Sequence, residues 1–421
     1  MTSTKTKIVL NTIYQIIGRF STSLSTLIAT AMITRYLGLK SFGEYSIVIA
    51  FLTVFYTLSD FGVNSVLIRE FAEDKYYAKK NFKKVLSLRI VIGVLLVLLA
   101  AIIVFFMPYK SGIKLAVYIG LPLLIFNSIS KAASLIFQSF LQYKYQSISM
   151  GVGAFFSVIL IAFAVLSPIH SLPLVIFATV IGSSISPLIS MYYAREYLFS
   201  DSKYIDFGYW KKILLDSLPF GISLVLNTFM IQADRILLSV ISSEESVGIY
   251  SLAYRIFELV LILPTFIMNA TFPVLVVLRK RDVLKYRKSI YTLLRFMILV
   301  SIGTTLIATY FSHFLVPLIW GSEMANSATP FNILMYGSVF FFVSAPLSWI
   351  MLAEGKDRFL PYIYGFGFLI NLVLNLFFIP IYDYVGAAYI TIITEGLIVV
   401  FLILSILSYN RKKTMSHGDK G

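Results

Sequence analysis

Positively charged side chains interrupt several of the long apolar stretches of this 421-residue sequence. Arg19 lies about ten residues into the first stretch, and Lys131 lies within the fourth. Guanidinium and ammonium groups bind phosphate well, and charges inside apolar segments usually face an aqueous interior or a partner. We therefore predict an interior that holds an anionic headgroup. The candidate binding residues are Arg19, Lys131, Arg235, Arg255, Gln15 and Asn11.

Four carboxylates lie in the same kind of stretch and are candidates for ion pairing or ion coupling: Asp60, Asp234, Glu258 and Glu395. Arg255 and Glu258 are three residues apart, which is the spacing of an ion pair within a helix. Asp234 and Arg235 are adjacent, so their side chains point in different directions. The sequence does not choose between pairing and coupling for these acids.

The remaining chemistry argues against an enzyme. The sequence has no Cys and only three His, and no cluster of His and carboxylates has the spacing of a metal site. No P-loop sequence is present, so direct ATP hydrolysis is not expected. The longest loop on the outer side, residues 314–328, is too short for a catalytic loop of a membrane glycosyltransferase. We expect no catalytic residue, no metal and no cofactor.

The composition indicates a membrane protein. Hydrophobic residues make up 58% of the chain and charged residues only 13%, against roughly 25% in soluble domains. A bilayer accommodates such apolar surface because it is itself an apolar solvent. The net charge of +15 would suggest nucleic acid for a soluble protein, but loop topology explains it here. We expect membrane lipids, and not nucleic acid, as partners.

Twelve apolar segments are long enough to cross a hydrocarbon core, which takes about 20 helical residues. The prediction is an all-α integral membrane protein of about twelve transmembrane helices. The segments are 8–34, 43–67, 86–107, 114–139, 147–167, 173–194, 213–241, 248–272, 291–313, 329–352, 359–380 and 387–409.

Lysine and arginine are distributed unequally between the loops on the two sides. Of the 35 lysine and arginine residues, most fall in segments that lie on the same side of the membrane as the two termini, and Arg89 is among them. Cytoplasmic loops carry such an excess, so both termini are predicted to be cytoplasmic. The opposite side has only Arg35, Lys40, Lys110 and Lys114.

An internal repeat divides the twelve segments into halves. Gly43-Glu44-Tyr45-Ser46 begins the second segment, and Gly248-Ile249-Tyr250-Ser251 begins the eighth. The same pattern at the same place predicts two six-helix lobes of equal orientation. The predicted organisation is an N-terminal lobe (1–200), a cytoplasmic linker (201–212), a C-terminal lobe (213–410) and a cytoplasmic tail (411–421).

Polar residues recur at steps of three and four, which places them on one helical face. One such face on the fourth segment contains Asn127, Lys131, Ser134 and Gln138. Because polar groups are costly against lipid, these faces are expected to face protein or water. The stretch from Ile90 to Phe106 is almost purely apolar and is expected to face lipid.

Three groups of motifs resemble those of one family, the polysaccharide-biosynthesis flippases of the Wzx type, within the multidrug/oligosaccharidyl-lipid/polysaccharide (MOP) exporter superfamily. Their order and spacing cover nearly the whole chain. The motifs are Arg35-Tyr36-Leu37-Gly38 with Asp60-Phe61-Gly62, Asp234-Arg235 with Val247-Gly248-Ile249-Tyr250, and Asn371-Leu372-Val373-Leu374-Asn375 with Ile379-Pro380.

The resemblance implies a MATE-like fold with two lobes forming a V around a central cavity. It implies a flippase that moves polyprenyl-pyrophosphate-linked oligosaccharide across the cytoplasmic (inner) membrane by alternating access, for O-antigen or exopolysaccharide assembly. Glycan polymerase and glycosyltransferases would be its partners. The alternatives are a cation-coupled multidrug antiporter of the same fold, a membrane enzyme of glycan assembly and a scaffold that does not transport.

Overall fold

The computed structural model describes residues 4–169, 171–199 and 203–418, and the regular structure in these ranges is helical. The chain forms two compact units, of which the first ends at Thr228 and the second begins at Phe229. The division of the lobes at residues 201–212 stays a prediction, and residues 200–202 lie outside the described ranges.

The first unit contains seven α-helices and the first part of an eighth, α8. A short 3₁₀ helix, Arg195–Tyr197, follows α7. The helices are α1 (Thr4–Asp60), α2 (Val63–Glu73), α3 (Lys75–Phe106), α4 (Ser111–Gly120), α5 (Pro122–Ser139), α6 (Tyr143–Leu166), α7 (Leu172–Ala194) and α8 (Phe207–Ile241).

The second unit contains the rest of α8 and six further α-helices. Two 3₁₀ helices, Ser322–Ser327 and Asp357–Phe359, lie between them. The α-helices are α9 (Glu244–Val260), α10 (Ile262–Arg281), α11 (Val283–Trp320), α12 (Ala328–Tyr336), α13 (Ser338–Ala353) and α14 (Leu360–Gly418).

The described helices account for about twelve membrane spans. Nine are long and apolar enough to cross a membrane, or ten if the bent pair α12 and α13 forms one span. Two of these, α1 and α14, are interrupted by residues with non-helical dihedrals, Gly38 (φ 81°) and Asp383 (φ 52°). Each interruption divides its helix into two lengths that suffice for a bilayer. The predicted all-α membrane fold is confirmed, while the cytoplasmic location of the termini stays a prediction.

Helix α1 ends at Asp60, although the sequence predicted continuous helix over 43–67. Phe61 and Gly62 have positive φ values of 39° and 72°, and α2 begins after them. A Cβ on Gly221 of α8 would lie 2.7 Å from the Phe61 carbonyl oxygen, so glycine allows α8 to pack against this break. The prediction of one helix was wrong because apolar periodicity does not report such tertiary contacts.

Helix α3 has the lipid-compatible face that its sequence predicted. Leu95, Leu98 and Phe106 each expose more than half of their surface in the protein. Nearer its N-terminal end, Phe82 and Val85 are fully buried in a cluster with residues of α5. The C-terminal part of α3 is therefore exposed and apolar, whereas its N-terminal part is packed in the interior of the first unit.

Small residues bring α6 and α7 into close contact. A Cβ on Gly182 of α7 would lie 2.3 Å from Cα of Ser157, and one on Gly153 of α6 would lie 2.8 Å from Cβ of Ser186. Small residues four apart on each helix allow this backbone approach, as is common between membrane helices.

Replacing Gly182 by alanine is expected to destabilise the protein by about 1–3 kcal/mol, because the new methyl group meets the backbone of α6. Gly303 of α11 is the matched control, since a Cβ there would meet no atom within 4 Å. Gly303→Ala is expected to be neutral or to stabilise by up to about 1 kcal/mol through helix propensity. Unfolding in mixed detergent micelles would compare them, and equal effects would contradict the packing argument.

Candidate functional site

A polar cavity of about 470 Å³ lies inside the first unit, between α1, α5, α6 and α7. Its volume is in the range of small-molecule sites. Hydroxyl and amide side chains dominate the lining, and Lys131 is the one charged residue among the described lining residues. The face that α5 turns to the cavity is the one predicted from spacing: Asn127, Lys131, Ser134 and Gln138.

Lys131 is joined to a buried ion pair. Its Nζ lies 3.7 Å from Asp60 Oδ2, and Asp60 Oδ1 accepts a hydrogen bond of 3.0 Å from Arg89 Nη2. The Arg89 side chain is fully buried, whereas 42% of the Lys131 side chain is exposed. One carboxylate thus pairs with two cations, which leaves one positive charge in excess, and of these three residues only Lys131 lines the cavity.

Two asparagines connect the helices that surround this ion pair. Asn64 Oδ1 accepts from Arg89 Nη2 at 2.5 Å, and Asn64 Nδ2 donates to Ser134 Oγ at 3.2 Å. Asn127 Nδ2 donates to Ser59 Oγ at 3.0 Å. These bonds hold α5 against the end of α1 and the start of α2, so the cavity lysine projects from a fixed helix.

The three candidates on the first half of α1 do not line this cavity. Asn11 is buried, and its Oδ1 accepts a hydrogen bond of 3.1 Å from the backbone N–H of Tyr143, at the start of α6. The Arg19 side chain is exposed and that of Gln15 is half-buried. Asn11 therefore bonds to the start of α6, and a substrate-binding role for Asn11, Arg19 and Gln15 stays a prediction.

Arg235 and Arg255 share one carboxylate in the second unit. Arg235 Nη2 lies 3.3 Å from Glu258 Oε1, and Arg255 Nη1 lies 3.0 Å from Glu258 Oε2. The Arg235 guanidinium also lies 4.6 Å from the centre of the Tyr254 ring and donates to Gln232. The spacing of Arg255 and Glu258 did indicate an ion pair, and Arg235 joins it.

Asp234 is buried and accepts hydrogen bonds only from uncharged groups among the described residues. Its Oδ1 accepts from Asn375 Nδ2 at 2.7 Å and from Asn371 Nδ2 at 3.2 Å. Its Oδ2 accepts from the hydroxyls of Tyr250, at 2.6 Å, and Thr391. This arrangement holds a carboxylate in the interior of the second unit, and the described side chains form no ion pair with it.

Glu395 shares a small cavity with Asp234. The cavity measures about 20 Å³, which is room for a single water-sized particle. Glu395 is also buried, and it accepts a hydrogen bond from the hydroxyl of Ser344. Two buried carboxylates therefore border one small polar space.

Comparisons with known proteins decide the family. A family model described as "Polysaccharide biosynthesis protein" matches residues 8–279, and a second, described as MatE, matches residues 219–377. The chain belongs to the polysaccharide biosynthesis protein family. A Shigella flexneri protein that is named as a candidate O-antigen transporter is 25% identical over 401 residues, which are 90% of this chain and 93% of that protein.

Solved structures show the fold of this polysaccharide biosynthesis protein. The lipid II flippase MurJ, in an inward closed conformation, matches 94% of the chain and 87% of its own length, with a TM-score of 0.72 and 17% identity. An inward-facing MATE multidrug transporter matches 94% of this chain and 96% of its own length, with a TM-score of 0.76 and 14% identity. A MOP transporter from Pyrococcus furiosus matches 96% of this chain and 95% of its own length, with a TM-score of 0.69 and 16% identity.

These findings confirm the family and fold class that the motifs predicted. The chain is a multi-pass membrane protein of the polysaccharide biosynthesis protein family, and it has the fold of the MurJ and MATE transporters. The relatives and structural neighbours described above are named as transporters or flippases, and none as an enzyme.

Sequence reasoning missed several residues of the two polar clusters in this polysaccharide biosynthesis protein. Arg89 was assigned to a cytoplasmic segment, and that assignment stays a prediction. Nothing in the sequence indicated that its side chain is fully buried against Asp60. Asn371 and Asn375 were noted only as part of a motif and not as candidate site residues, although their spacing of four places both on one helical face. The repeat containing Tyr250 likewise gave no sign of its bond to Asp234.

Proposed function

We propose that this protein flips a polyprenyl-pyrophosphate-linked oligosaccharide across the cytoplasmic membrane by alternating access. The observation that carries the proposal is the cavity of the first unit, with Lys131 as its charged group and hydroxyl and amide side chains around it. An ammonium group favours phosphate, and the neutral polar groups suit the hydroxyls of sugars. The candidate O-antigen transporter of Shigella flexneri supports the same substrate class.

The size of the cavity limits what it would hold. About 470 Å³ accommodates a phosphate and the first sugars, so the rest of the glycan and the lipid tail would lie outside it. Surface polysaccharide assembly would then connect the protein to glycosyltransferases that build its substrate and to a glycan polymerase that uses it.

Coupling to an ion gradient is assigned to the second unit in this proposal. Asp60 and Glu258 lie against arginine or lysine side chains, so their charges are already balanced. Among the described residues Asp234 and Glu395 are bonded to neutral donors instead. A buried carboxylate of this kind is suited to bind and release a proton or a metal cation.

Replacing Lys131 by glutamine is expected to slow flipping by about tenfold to a hundredfold, the loss of one charge-assisted contact. The assay uses liposomes with the purified protein and a fluorescent polyprenyl-pyrophosphate oligosaccharide, and it measures how fast the label reaches the opposite leaflet. The substitution leaves Asp60 paired with Arg89, so the fold should persist.

Lys144→Gln is the matched control, because Lys144 is an exposed lysine at the start of α6 that does not line the cavity. It is expected to flip the lipid at the normal rate. Equal rates for Lys131→Gln and the wild type would exclude the cavity lysine from the function. A wild type that ignores glycan lipids but exports organic cations would instead indicate the multidrug antiporter.

A further inference from the structure

A second large concave surface lies between α10 and α11 in the second unit, far along the chain from the cavity of Lys131. It is an open groove of about 510 Å³. The two helices form an antiparallel hairpin that turns at Asp282. The proposed transport function does not use this groove, whose lining contains basic, hydroxyl and apolar side chains.

The basic zone is at the hairpin end, where the apolar span of α11 begins. Lys285 and Lys288 line the groove, and both are exposed. Lys285 Nζ lies 3.3 Å from Asp282 Oδ2, and the backbone N–H of Lys285 lowers the pKa of that carboxyl, which stays ionised at neutral pH. Lys288 has no carboxylate partner among the described side chains, so a net positive charge remains.

Polarity decreases from this end along the α11 side of the groove. Ser289 and Thr292 follow the lysines on α11, and then Phe296 lines the deeper part, opposite Ile267 of α10. From Lys285 to Phe296 the helix rises about 16 Å, at about 1.5 Å per residue. This is the order of groups in a phospholipid, with a charged headgroup, a polar glycerol ester region and an apolar chain.

We propose that the groove between α10 and α11 binds an anionic phospholipid of the surrounding bilayer, with its phosphate at Lys285 and Lys288 and one acyl chain against Phe296 and Ile267. Lysines at a membrane surface attract anionic lipids, each contributing about 1 kcal/mol, which for two lysines is about thirtyfold in affinity. The groove is open at its side, so the lipid would exchange with the bilayer. It is a resident lipid and not the transported one.

The chain contains no cysteine, which allows a direct test with a single introduced thiol. Thr292→Cys in the full-length protein is labelled with bimane and titrated with brominated lipids that quench on contact. Brominated phosphatidylglycerol is expected to quench at about thirtyfold lower concentration than brominated phosphatidylcholine. Adding Lys285→Gln and Lys288→Gln is expected to abolish that difference.

Two controls separate the groove from general effects. Tyr291→Cys places the label at the same depth on another face of α11, where Tyr291 is exposed, and should show no headgroup preference. Lys211→Gln with Lys212→Gln removes two exposed lysines of α8 and should leave the preference at position 292 intact.

Three outcomes would overturn the proposal. The first is equal quenching by the two lipids at position 292. The second is a preference that survives loss of the groove lysines or disappears with the α8 lysines. The third is relief of quenching by millimolar inorganic phosphate, which would show that the lysines bind phosphate alone and not a lipid.

Discussion

Replacing Asp60 by alanine is expected to destabilise the first unit by about 3–5 kcal/mol. The substitution removes the carboxylate beside Arg89, whose side chain is fully buried, and leaves that cation without a counter-charge. It also removes the charge nearest to the cavity lysine, Lys131. Equilibrium unfolding in mixed detergent micelles, followed by far-ultraviolet circular dichroism, measures the loss.

The exposed pair of Arg69 and Glu73 provides the control for Asp60. Their side chains are 86% and 67% exposed at an Nε–Oε1 distance of 3.1 Å, so Glu73→Ala should cost less than about 1 kcal/mol. Adding Arg89→Met to Asp60→Ala should recover much of the stability, because it removes the unpaired charge. Similar losses for Asp60→Ala and Glu73→Ala, or no recovery with Arg89→Met, would show that the unpaired charge of Arg89 is not the main cause of the lost stability.

The sequence predicted the membrane fold well because span length and apolar character depend on local composition. It predicted the cavity face of α5 for a similar reason, since spacings of three and four set which side chains share a helical face. It did not predict the helix break at Phe61 and Gly62, because that break depends on a packing partner far along the chain, Gly221 of α8.

The candidate site was predicted in part. Features that depend on a single helix were predicted, and contacts between helices distant in the sequence were not. The position of Lys131 on the cavity face was predicted because the spacing of polar residues within its own helix indicates that face. The partner of Asp60 was not found, because Arg89 lies 29 residues away on another helix. Arg19 was a candidate because of its position about ten residues into the first apolar stretch. That position does not show that its side chain is exposed and lies outside the described cavity lining.

Asp234→Asn is expected to abolish the part of transport that an ion gradient drives, with a loss of at least about tenfold. The carboxylate accepts hydrogen bonds from four neutral donors, so a cation bound during the cycle would supply the positive charge that balances it. An amide has the same shape but no charge to exchange. It leaves one or two buried groups without a partner, at about 1–3 kcal/mol, which a folded transporter should tolerate. Liposome flipping with and without imposed proton and sodium gradients measures the effect.

The comparison of Asp234→Asn with Lys131→Gln separates coupling from substrate binding. Lys131→Gln should slow flipping equally with and without a gradient, because it weakens a contact to the substrate. Asp234→Asn should remove only the stimulation by the gradient, and Glu323→Gln, at an exposed acid of the same unit, should change neither. Gradient stimulation that survives in Asp234→Asn would move the coupling role to Glu395, the other buried carboxylate bordering the same small cavity.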